Sequence, residues 1–577
     1  MRAGKMIGSS RLVAGSQLLA LAILMVGCTA PQSEGADTLY FGGSVVTMTG
    51  EEDVIEAVAV KDGLIYATGS TEELEGLCDD HTRRVDLNGH CLLPGFIDAH
   101  SHLAQGINAI TEINVSCPPV GVCSSISDIM SRLTAESQGK EWILAWGYDN
   151  ELIAEGRHPN LTDLDALFPD RPVVMAHVSG HMVVCNSKAL EICNITKDTP
   201  QPVGGVIDKD DDGNLTGLLQ ENAAFALLPY IPQLSIEQKL SHFDQVMHLY
   251  ASNGYTTIQE GLSDEPTLEL LCAARDSGMY TLDVVALVEA SYFASKKVDS
   301  SHVFNVYQDG LKLGGIKIIG DGSPQGKTAY FRKPYCVHGN CVLPMGFRGA
   351  PNLEKMALHR LFERAYSNDV QVFMHCNGDA AIDTFIEAHK ANKGIREGAD
   401  YRSVVIHSQF VQKDQLETYR EERLIPSFFT NHCFFWGDVH RENLGEARAN
   451  FLSPIASADS LGICYTNHTD YRITPLDPIF VLWTACNRIS REGNVLGKNE
   501  RASVYQALKG ITINAAYQYF EEDQKGTIEC GKHADFVVLS KNPLRQQPEQ
   551  LRDIQILETI KDDHTVFNHE NDHRGSR

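Results

Sequence analysis

Residues 92–103 read LLPGFIDAHSHL, an apolar stretch that is typical of a β-strand and that ends with two histidines, His100 and His102. Residues two apart on a strand point to the same side. The spacing therefore predicts two imidazoles that project together from the carboxyl end of the strand. A β/α barrel carries its chemistry at that end of its strands, and paired imidazoles suit zinc and similar transition metals. The stretch predicts a first barrel strand and part of a metal site.

Seven further apolar, β-branched runs follow along the chain, mostly separated by helical patterns. The eight runs are 95–102, 255–260, 281–288, 315–320, 370–376, 403–407, 425–431 and 462–467. Repeated strand–helix alternation predicts an α/β fold, a (β/α)8 TIM barrel. The stretch between the first and second runs, about residues 105–250, far exceeds an ordinary βα loop of roughly 2–6 residues. It predicts a cap insertion after barrel strand 1 that contributes to substrate recognition.

Short alternating strands broken by Gly and Asp appear at both ends of the chain. We interpret residues 38–94 and 500–567 as one composite β-sandwich domain built from both chain ends. The barrel then occupies residues 95–499 between its two parts. Residues 29–37 have the composition of a flexible tether, and residues 568–577 form a polar tail that we expect to be disordered.

The amino terminus has the pattern of an export signal. Arg2, Lys5 and Arg11 precede an uncharged apolar run over residues 12–27, which is short for a membrane span of about 20 residues. The run ends LMVGC and resembles a bacterial lipobox, in which the cysteine, here Cys28, is lipidated. Met25 stands where leucine is commoner. We expect residues 1–28 to be a lipoprotein signal peptide, with the mature protein on the periplasmic side of a membrane; an ordinary secretory signal and an uncleaved anchor are the alternatives.

Charge and cysteine content limit the partners. Lys and Arg number 49 against 75 Asp and Glu, so the net charge is −26, which opposes contact with nucleic acid. We expect a small-molecule substrate, and a homodimer as the usual state of a soluble enzyme. Among the 15 cysteines, three pairs close in sequence are disulfide candidates in an oxidising compartment: 117 with 123, 185 with 193, and 336 with 341.

Side chains able to bind a metal or to act as a base recur at the ends of the predicted strands. Lys317 lies in the fourth run, His375 ends the fifth, His407 ends the sixth, and Asp470 follows the eighth. A single histidine at a strand end is usually a hydrogen-bonded core residue. Several buried ionisable groups together are costly unless they bind a metal or pair with one another. The pattern therefore predicts a metal centre.

These motifs resemble the amidohydrolase superfamily: PGFIDAHSHL, IKIIGDG followed by TAYF, the histidines of strands 5 and 6, and the aspartate of strand 8. The long insertion, SGHMVVCNSKAL (179–190) and GGVIDKDDDGNLTGLLQENA (204–223) are similar to its YtcJ-like branch, amidohydrolase family 3, which includes N-substituted formamide deformylase-like enzymes. The resemblance spans roughly residues 38–567. It implies a barrel with a composite β-sandwich and one or two divalent metals, with zinc expected and iron, manganese or nickel as alternatives.

The resemblance also implies a role for each matching residue. His100 and His102 would bind the more buried metal, and His375 and His407 the second. Lys317 would bridge both as an N6-carboxylated lysine, because burial favours the neutral amine that takes up carbon dioxide. An unmodified Lys317 paired with a neighbouring aspartate, at position 321 or 470, is the alternative.

Asp470 would bind a metal and act as the general base. The implied reaction is hydrolysis by a metal-activated hydroxide of a non-peptide C–N bond in an amide, formamide or cyclic amide. Hydrolysis of an ester or lactone at the same centre is one alternative. A catalytically inactive exported binding lipoprotein is another.

Four further residues are candidates for substrate binding. His181 lies in SGHMVVCNSKAL of the cap, where a structural role is equally compatible with the pattern, and Tyr148 and Asp149 lie in WGYDN. His432 lies in FFTNHCFFWGD, where the family usually has Gln-Pro-x-His. The segment after strand 8 is TNHTDYRIT instead of a Gly-Ser-Asp-Trp-Pro-like run, and its added His468 is either a neighbour of the site or a packed residue.

Overall fold

A computed structural model describes residues 35–295, 303–336 and 345–572. Cys28 and Cys341 lie outside the described residues, as does the predicted signal peptide. The predicted tether is shorter than expected at its carboxyl end, because Ala36 is buried and its N–H donates to the carbonyl of Leu77 at 2.9 Å. The predicted disordered tail begins with a short helix, His569–Asp572.

A sheet of eight parallel strands, joined in chain order, forms the centre of the molecule. Barrel strands 1 to 8 are Phe96–Ile97, Tyr255–Ser263, Asp283–Glu289, Leu311–Ile319, Val372–Cys376, Val404–His407, Ile425–Phe428 and Thr466–Asn467. Each of the eight predicted runs overlaps one of them, which confirms the strand predictions. A short strand, Tyr307–Gln308, pairs antiparallel with barrel strand 4.

The sheet curls so that its first and last strands approach each other at their carboxyl ends. The N–H of Asp470 donates to the carbonyl of His100 at 3.1 Å, and the N–H of His102 donates to the carbonyl of Tyr471 at 2.7 Å. Barrel strand 1 ends at Ile97, earlier than predicted, so both histidines lie in the turn beyond it. The arrangement is TIM-barrel-like, with the chemistry-bearing loops at one end.

Several helices cover the outside of the sheet and bury an apolar face against it. In the helix after barrel strand 4, the buried residues are Leu358, Phe362, Ala365 and Tyr366, the spacing of a helical stripe. The described α-helices are Thr71–Glu75, Leu103–Ala109, Ile126–Glu136, Leu161–Asp165, Ser187–Ile192, Asn222–Phe225, Ile236–Ser241, Phe243–Ser252, Glu265–Asp276, Ala290–Ala294, Lys355–Ser367, Asp379–Asn392, Lys413–Glu422, Asn431–Leu444, Glu446–Asn450, Ile455–Ser460, Pro478–Asn487, Val504–Lys509, Ile513–Gln518 and His569–Asp572. The 3-10 helices are Lys393–Ile395, Lys498–Glu500, Pro543–Arg545 and Pro548–Asp553.

The insertion after barrel strand 1 contains a mixed six-stranded sheet, which we call the cap. Its strands, in order across the sheet, are Gly205–Lys209, Leu215–Glu221, Met182–Cys185, Val173–His177, Ile143–Tyr148 and Ile113–Asn114. Buried residues of the cap form core clusters separate from that of the barrel, so the cap packs as its own layer.

Two further sheets lie at the chain ends. The first has the order Leu64–Gly69, Ala57–Lys61, Thr38–Phe41 and Arg83–Asp86. The second has the order His564–Asn568, Ile556–Lys561, Phe536–Leu539, Cys91–Pro94, Ser44–Val46 and Val54–Ile55, and so combines both ends of the chain. Tyr40 of the first sheet packs edge-on against Phe536 of the second, with ring centroids 5.4 Å apart.

The chain after residue 500 contacts the barrel before it reaches the second sheet. Gln518 donates from Nε2 to the carbonyl of Ala99 at 3.0 Å, and its Oε1 accepts a hydrogen bond from Thr466 at 2.8 Å. The boundary at residue 500 therefore assigns to the sandwich a stretch whose side chains pack under the barrel strands.

The structure does not contain the disulfides that we considered for the cap. Cys117 and Cys123 are free and buried in one cap core cluster, and Cys185 and Cys193 are free and buried in another. A buried free cysteine packs as a small apolar residue, which accounts for these positions without a covalent bond. None of the helices in the described ranges is both long enough and apolar enough to cross a bilayer.

A buried ion cluster supports barrel strand 4, which also carries Lys317. Lys312 and Lys525 both contact the carboxylate of Glu521, and all three side chains are at most 4% exposed. Burial alone would raise the pKa of Glu521, but the attraction of Lys525 and Lys312 outweighs it and lowers the pKa to about 2. The carboxylate is therefore ionised in the folded protein over the whole physiological range.

We expect Glu521→Gln to lower the free energy of unfolding by about 3–5 kcal/mol, because it leaves two buried ammonium groups without this partner. Chemical unfolding monitored by circular dichroism measures the change. Because the folded-state pKa is depressed, this contribution is present above about pH 4.5 and is lost as the pH falls toward 2. Glu417→Gln, at an exposed pair with Arg420, should change stability by less than about 1 kcal/mol. Equal effects of the two variants would contradict the prediction.

Candidate metal centre

Three buried side chains converge at the carboxyl end of the barrel. One ligand atom each from His100, His407 and Asp470 lies within 4.8 Å of the others. His100 Nε2 is 3.5 Å from Asp470 Oδ1, and His407 Nε2 is 3.9 Å from Asp470 Oδ2. Two imidazole nitrogens and a carboxylate form a donor set that suits a divalent transition metal.

Unpaired polar atoms at this point fit a cation. Asp470 Oδ1 is buried and has no hydrogen-bond donor, although a second imidazole nitrogen, His102 Nε2, lies 3.5 Å away. A buried carboxylate oxygen without a donor is costly. A metal ion coordinated by these residues would satisfy it.

The backbone is held in an unusual conformation at two of these positions. His407 has φ +68° and Asp470 has φ +51°. This left-handed region is unfavourable for residues other than glycine and is often found at functional sites. His407 ends barrel strand 6, and Asp470 lies in the turn after barrel strand 8. In this conformation both side chains point toward the centre of the barrel mouth.

Barrel strand 2 and the segment after Ile513–Gln518 fix the orientation of His100. Gln259 donates from Nε2 to the carbonyl of Ala99 at 3.0 Å and to the hydroxyl of Tyr519 at 2.7 Å. Tyr519 in turn donates to the carbonyl of Asp98 at 2.8 Å. The free amide oxygen of Gln259 therefore faces His100 Nδ1, 2.6 Å away. These contacts assign the proton to Nδ1 and leave the lone pair of Nε2 directed at the centre.

Lys317 on barrel strand 4 joins the same group. It is buried, and its Nζ lies 3.0 Å from His100 Nε2. Burial lowers the pKa of Lys317, although Asp470 and Glu260 partly oppose the shift. Burial likewise raises the pKa of Asp470, and Lys317 partly opposes it. The amine of Lys317 therefore loses its proton more readily than the amine of an exposed lysine.

The four predicted histidine ligands are all neutral. Burial lowers the pKa of each of them well below its ordinary value, and the positive charge of Lys317 adds to this effect; they are His100, His102, His375 and His407. A neutral imidazole is the form that coordinates a metal.

His375 lies beside the three-residue cluster and has protein partners on both ring nitrogens. Its Nδ1 is 3.2 Å from Asp321 Oδ1, and its Nε2 is 3.2 Å from Asn377 Nδ2. Its ring centroid is 4.5 Å from that of His407. Asp321 thus contacts His375 and does not pair with Lys317, which removes one of the two carboxylates we considered as a partner of that lysine.

A small cavity lies above these residues, between the barrel and the cap. Its volume is about 20 Å³. Its lining residues are Ser179, His181, Ser323, Pro324, Gln325, His375, Asn377, His407, Phe429, His432, Asp470 and Ile473. Such a space holds little more than one or two water molecules, so the cap closes tightly over the centre.

Two of the four predicted substrate residues, His181 and His432, line this cavity. His181 donates from Nδ1 to Oε2 of Glu221, a cap residue, at 2.9 Å. Burial would lower the pKa of His181, but the carboxylate of Glu221 outweighs it and raises the pKa.

Tyr148 and Asp149 do not line the cavity, in contrast to our expectation. Both are buried: Tyr148 ends a cap strand and packs in a core cluster of the cap, and Asp149 directly follows it. Asp149 accepts a hydrogen bond from Trp436 Nε1 at 2.7 Å, and the ring of Trp436 packs 4.4 Å from that of His432. Asp149 therefore supports the cavity wall from behind.

Sequence reasoning missed Gln259 and Glu260. They end an apolar run on barrel strand 2, and two adjacent polar residues at that place were the available signal. His468 proves to be a neighbour of the site, with its ring centroid 5.2 Å from that of His100 and 5.1 Å from that of His407. Both of its ring nitrogens are buried without a hydrogen-bond partner.

We expect Gln259→Leu to weaken binding of a divalent metal by about 10–100-fold, because the tautomer and orientation of His100 are no longer fixed. Competition with a chromophoric zinc chelator measures the affinity. Gln518→Leu is the matched control: Gln518 is equally buried and donates to the same carbonyl of Ala99 at 3.0 Å. Equal losses in both variants would show that the effect is only structural.

Comparison with known proteins agrees with this geometry. The family model described as "Amidohydrolase family" matches residues 83–567. A structure of an uncharacterized metal-dependent hydrolase from Pyrococcus horikoshii OT3 superposes with a TM-score of 0.71 at 22% identity, covering 89% of this chain and 99% of that one. This likeness shows that the two proteins share a fold.

Two relatives match over nearly their whole length. YtcJ of Bacillus subtilis (strain 168), provisionally named an amidohydrolase, is 28% identical over 92% of this chain and 99% of its own. N-substituted formamide deformylase of Arthrobacter pascens is 26% identical over 91% of this chain and 97% of its own. The chain therefore belongs to the amidohydrolase family and is an enzyme, a hydrolase.

Proposed function

We propose that the protein hydrolyses an amide, formamide or cyclic amide bond of a small molecule. The observation that carries the proposal is the convergence of His100, His407 and Asp470 within 4.8 Å at the carboxyl end of the barrel. The name of the Arthrobacter pascens relative, N-substituted formamide deformylase, supports a substrate of this kind.

We further propose that His100, His102 and Asp470 hold one divalent metal, and that His375 and His407 hold a second. Zinc is the first expectation, and iron, manganese or nickel suit the same ligands. A metal bound there would lower the pKa of water toward neutrality and polarise the bond to be cleaved. Binding of the second metal would require His375 to give up its contact with Asn377.

Asp470 is the proposed proton carrier. One carboxylate oxygen serves as a ligand, and the other accepts the proton of the water nucleophile and returns it to the leaving nitrogen. Burial raises the pKa of this group, which makes a proton on the carboxylate less unfavourable than on an exposed aspartate. An amide nitrogen leaves readily only when it is protonated, so this proton transfer completes the cleavage.

Lys317 is the proposed bridge between the two metals, as an N6-carboxylated lysine. Its neutral amine adds to carbon dioxide, a new N–C bond forms, and one proton leaves for solvent. Burial of Lys317, which lowers the pKa of its amine, supports the neutral form. An unmodified Lys317 paired with Asp470 remains the alternative for a site with one metal.

The cap excludes bulk water from the reaction. Ser179 and His181 of the cap line the cavity together with His432, which follows barrel strand 7. Exclusion of water strengthens the electrostatic interactions inside such a site and suppresses side reactions. Hydrolysis of an ester or lactone would use the same residues, and an amide and ester pair with the same acyl group distinguishes the two reactions.

We also make proposals about export, the terminal sheets and the binding partners of the protein. The lipobox pattern around Cys28 supports export and a lipid anchor on the periplasmic side. The shared packing of Tyr40 and Phe536 supports a composite β-sandwich formed by the two terminal sheets. We expect a small-molecule substrate and a homodimer, and no nucleic-acid partner.

We expect about two divalent metal ions per chain when the protein without residues 1–28 is purified in the presence of bicarbonate. Elemental mass spectrometry measures the ratio, and intact-protein mass should show the added carboxylate on Lys317. A ratio near one, retained in Lys317→Ala, would support the single-metal alternative. Protein that binds no metal after reloading would contradict the proposed function.

We expect Asp470→Asn to lower kcat/KM by at least about 1,000-fold, because it removes both a ligand and the proton carrier. Hydrolysis of a panel of formamides by metal-loaded protein measures the change. Asp438→Asn is the control, since Asp438 hydrogen-bonds to Ser490 and Asn494 outside the cavity. Full activity of Asp470→Asn would rule out its role.

A further inference from the structure

The cavity at the metal centre is too small for a whole substrate. Its volume of about 20 Å³ compares with roughly 300–1,000 Å³ for ordinary ligand pockets. Most of its lining side chains are imidazoles, hydroxyls and amides, which suit the polar bond to be cleaved. The remainder of the substrate must therefore occupy space beyond this cavity.

A larger cavity of about 360 Å³ lies on the other face of the segment that follows barrel strand 8. Asp470 and Ile473 of this segment face the small cavity, whereas Tyr471, Arg472 and Leu476 face the large one. We call the large cavity the side cavity. Only the thickness of this segment separates it from the metal centre.

The partition between the two cavities is one layer of side chains. A Cβ built on Gly180 would lie 3.5 Å from Trp146 Cη2 and 3.6 Å from Ile473 Cδ1. Trp146 lines the side cavity and Ile473 lines the small one. Trp146 and Ile473 therefore both lie beside Gly180, with one cavity on the side of each.

The side cavity suits an uncharged apolar group. Trp146, Leu249 and Leu476 provide aromatic and aliphatic surface. Its charged residues neutralise each other, because Arg472 Nη2 contacts Glu112 Oε2 at 2.6 Å. The Arg472 guanidinium also lies over the Trp146 ring, 3.9 Å from the ring centroid. No unpaired charge among these residues is available to hold an ionic ligand.

We propose that the side cavity binds the apolar substituent of the substrate, so that the enzyme prefers amides with a bulky, uncharged aliphatic or aromatic group attached to the scissile bond. Trp146 forms the binding surface, and Ile473 sets the size of substituent that passes between the cavities. The inference rests on the proposed function for the identity of the bond, and on the side cavity alone for the class of substituent.

Binding of cyclohexanol, a neutral probe, tests the side cavity without catalysis. Ligand-observed NMR titration of the wild-type protein should show saturable binding. Trp146→Ala, which removes the aromatic surface, and Val120→Trp, which fills the opening from a residue that is 43% exposed, should each weaken binding at least tenfold. Leu167→Ala, at an exposed position of the cap (49%) away from both cavities, should bind like the wild type.

A pair of substrates tests specificity. The wild-type enzyme should cleave N-cyclohexylformamide with a kcat/KM at least tenfold above that for N-methylformamide. This ratio should fall in Trp146→Ala and Val120→Trp, rise in Ile473→Ala because the passage widens, and stay constant in Leu167→Ala.

The two tests separate the inference from the function on which it rests. Cyclohexanol binding that is lost in both side-cavity variants, without cleavage of any formamide, would contradict the proposed reaction and support the side cavity as a ligand site. Absence of cyclohexanol binding, or an unchanged substrate ratio in Trp146→Ala and Val120→Trp, would overturn the inference.

Discussion

A buried carboxylate among neutral imidazoles is the constraint on which the barrel mouth depends. Asp470 lies 3.5 Å from both His100 and His102 through a single oxygen that has no hydrogen-bond donor. Such an arrangement is unfavourable in the protein alone and becomes favourable when a cation is shared among the ligands. The left-handed backbone at Asp470 and His407 has the same explanation, since it is the conformation that directs both side chains to one point.

Different contacts support this centre on the barrel side and on the cap side. The chain Tyr519, Gln259 and His100 links the segment after the last barrel helices to the ligand that it orients. On the other side, Asp149 holds Trp436 against His432, so that a strand of the cap supports a wall of the barrel. The candidate metal-binding residues therefore lie in the barrel, whereas Ser179 and His181 of the cap line the cavity above them.

The local sequence pattern was sufficient to predict the barrel strands, because all of them have similar surroundings. Each barrel strand is buried by helices on one face and by the barrel interior on the other, so its apolar run was visible without knowledge of the fold. The same reasoning failed for the cysteines, because proximity in sequence says nothing about whether two side chains face each other. It also failed for Tyr148 and Asp149, since the side of the cap strand that faces the barrel depends on packing between layers.

The sequence by itself indicated the barrel strands, the insertion and the candidate metal-binding residues His100, His102, Lys317, His375, His407 and Asp470, because these features follow from strand periodicity and from residue chemistry at strand ends. Only the tertiary structure decided how they are used. In the structure, Gln259 contacts His100, and Asp321 contacts His375. A second cavity lies beside the first. These relations join residues far apart in the chain, and their distances arise from the curling of the sheet and the docking of the cap, which no local pattern encodes.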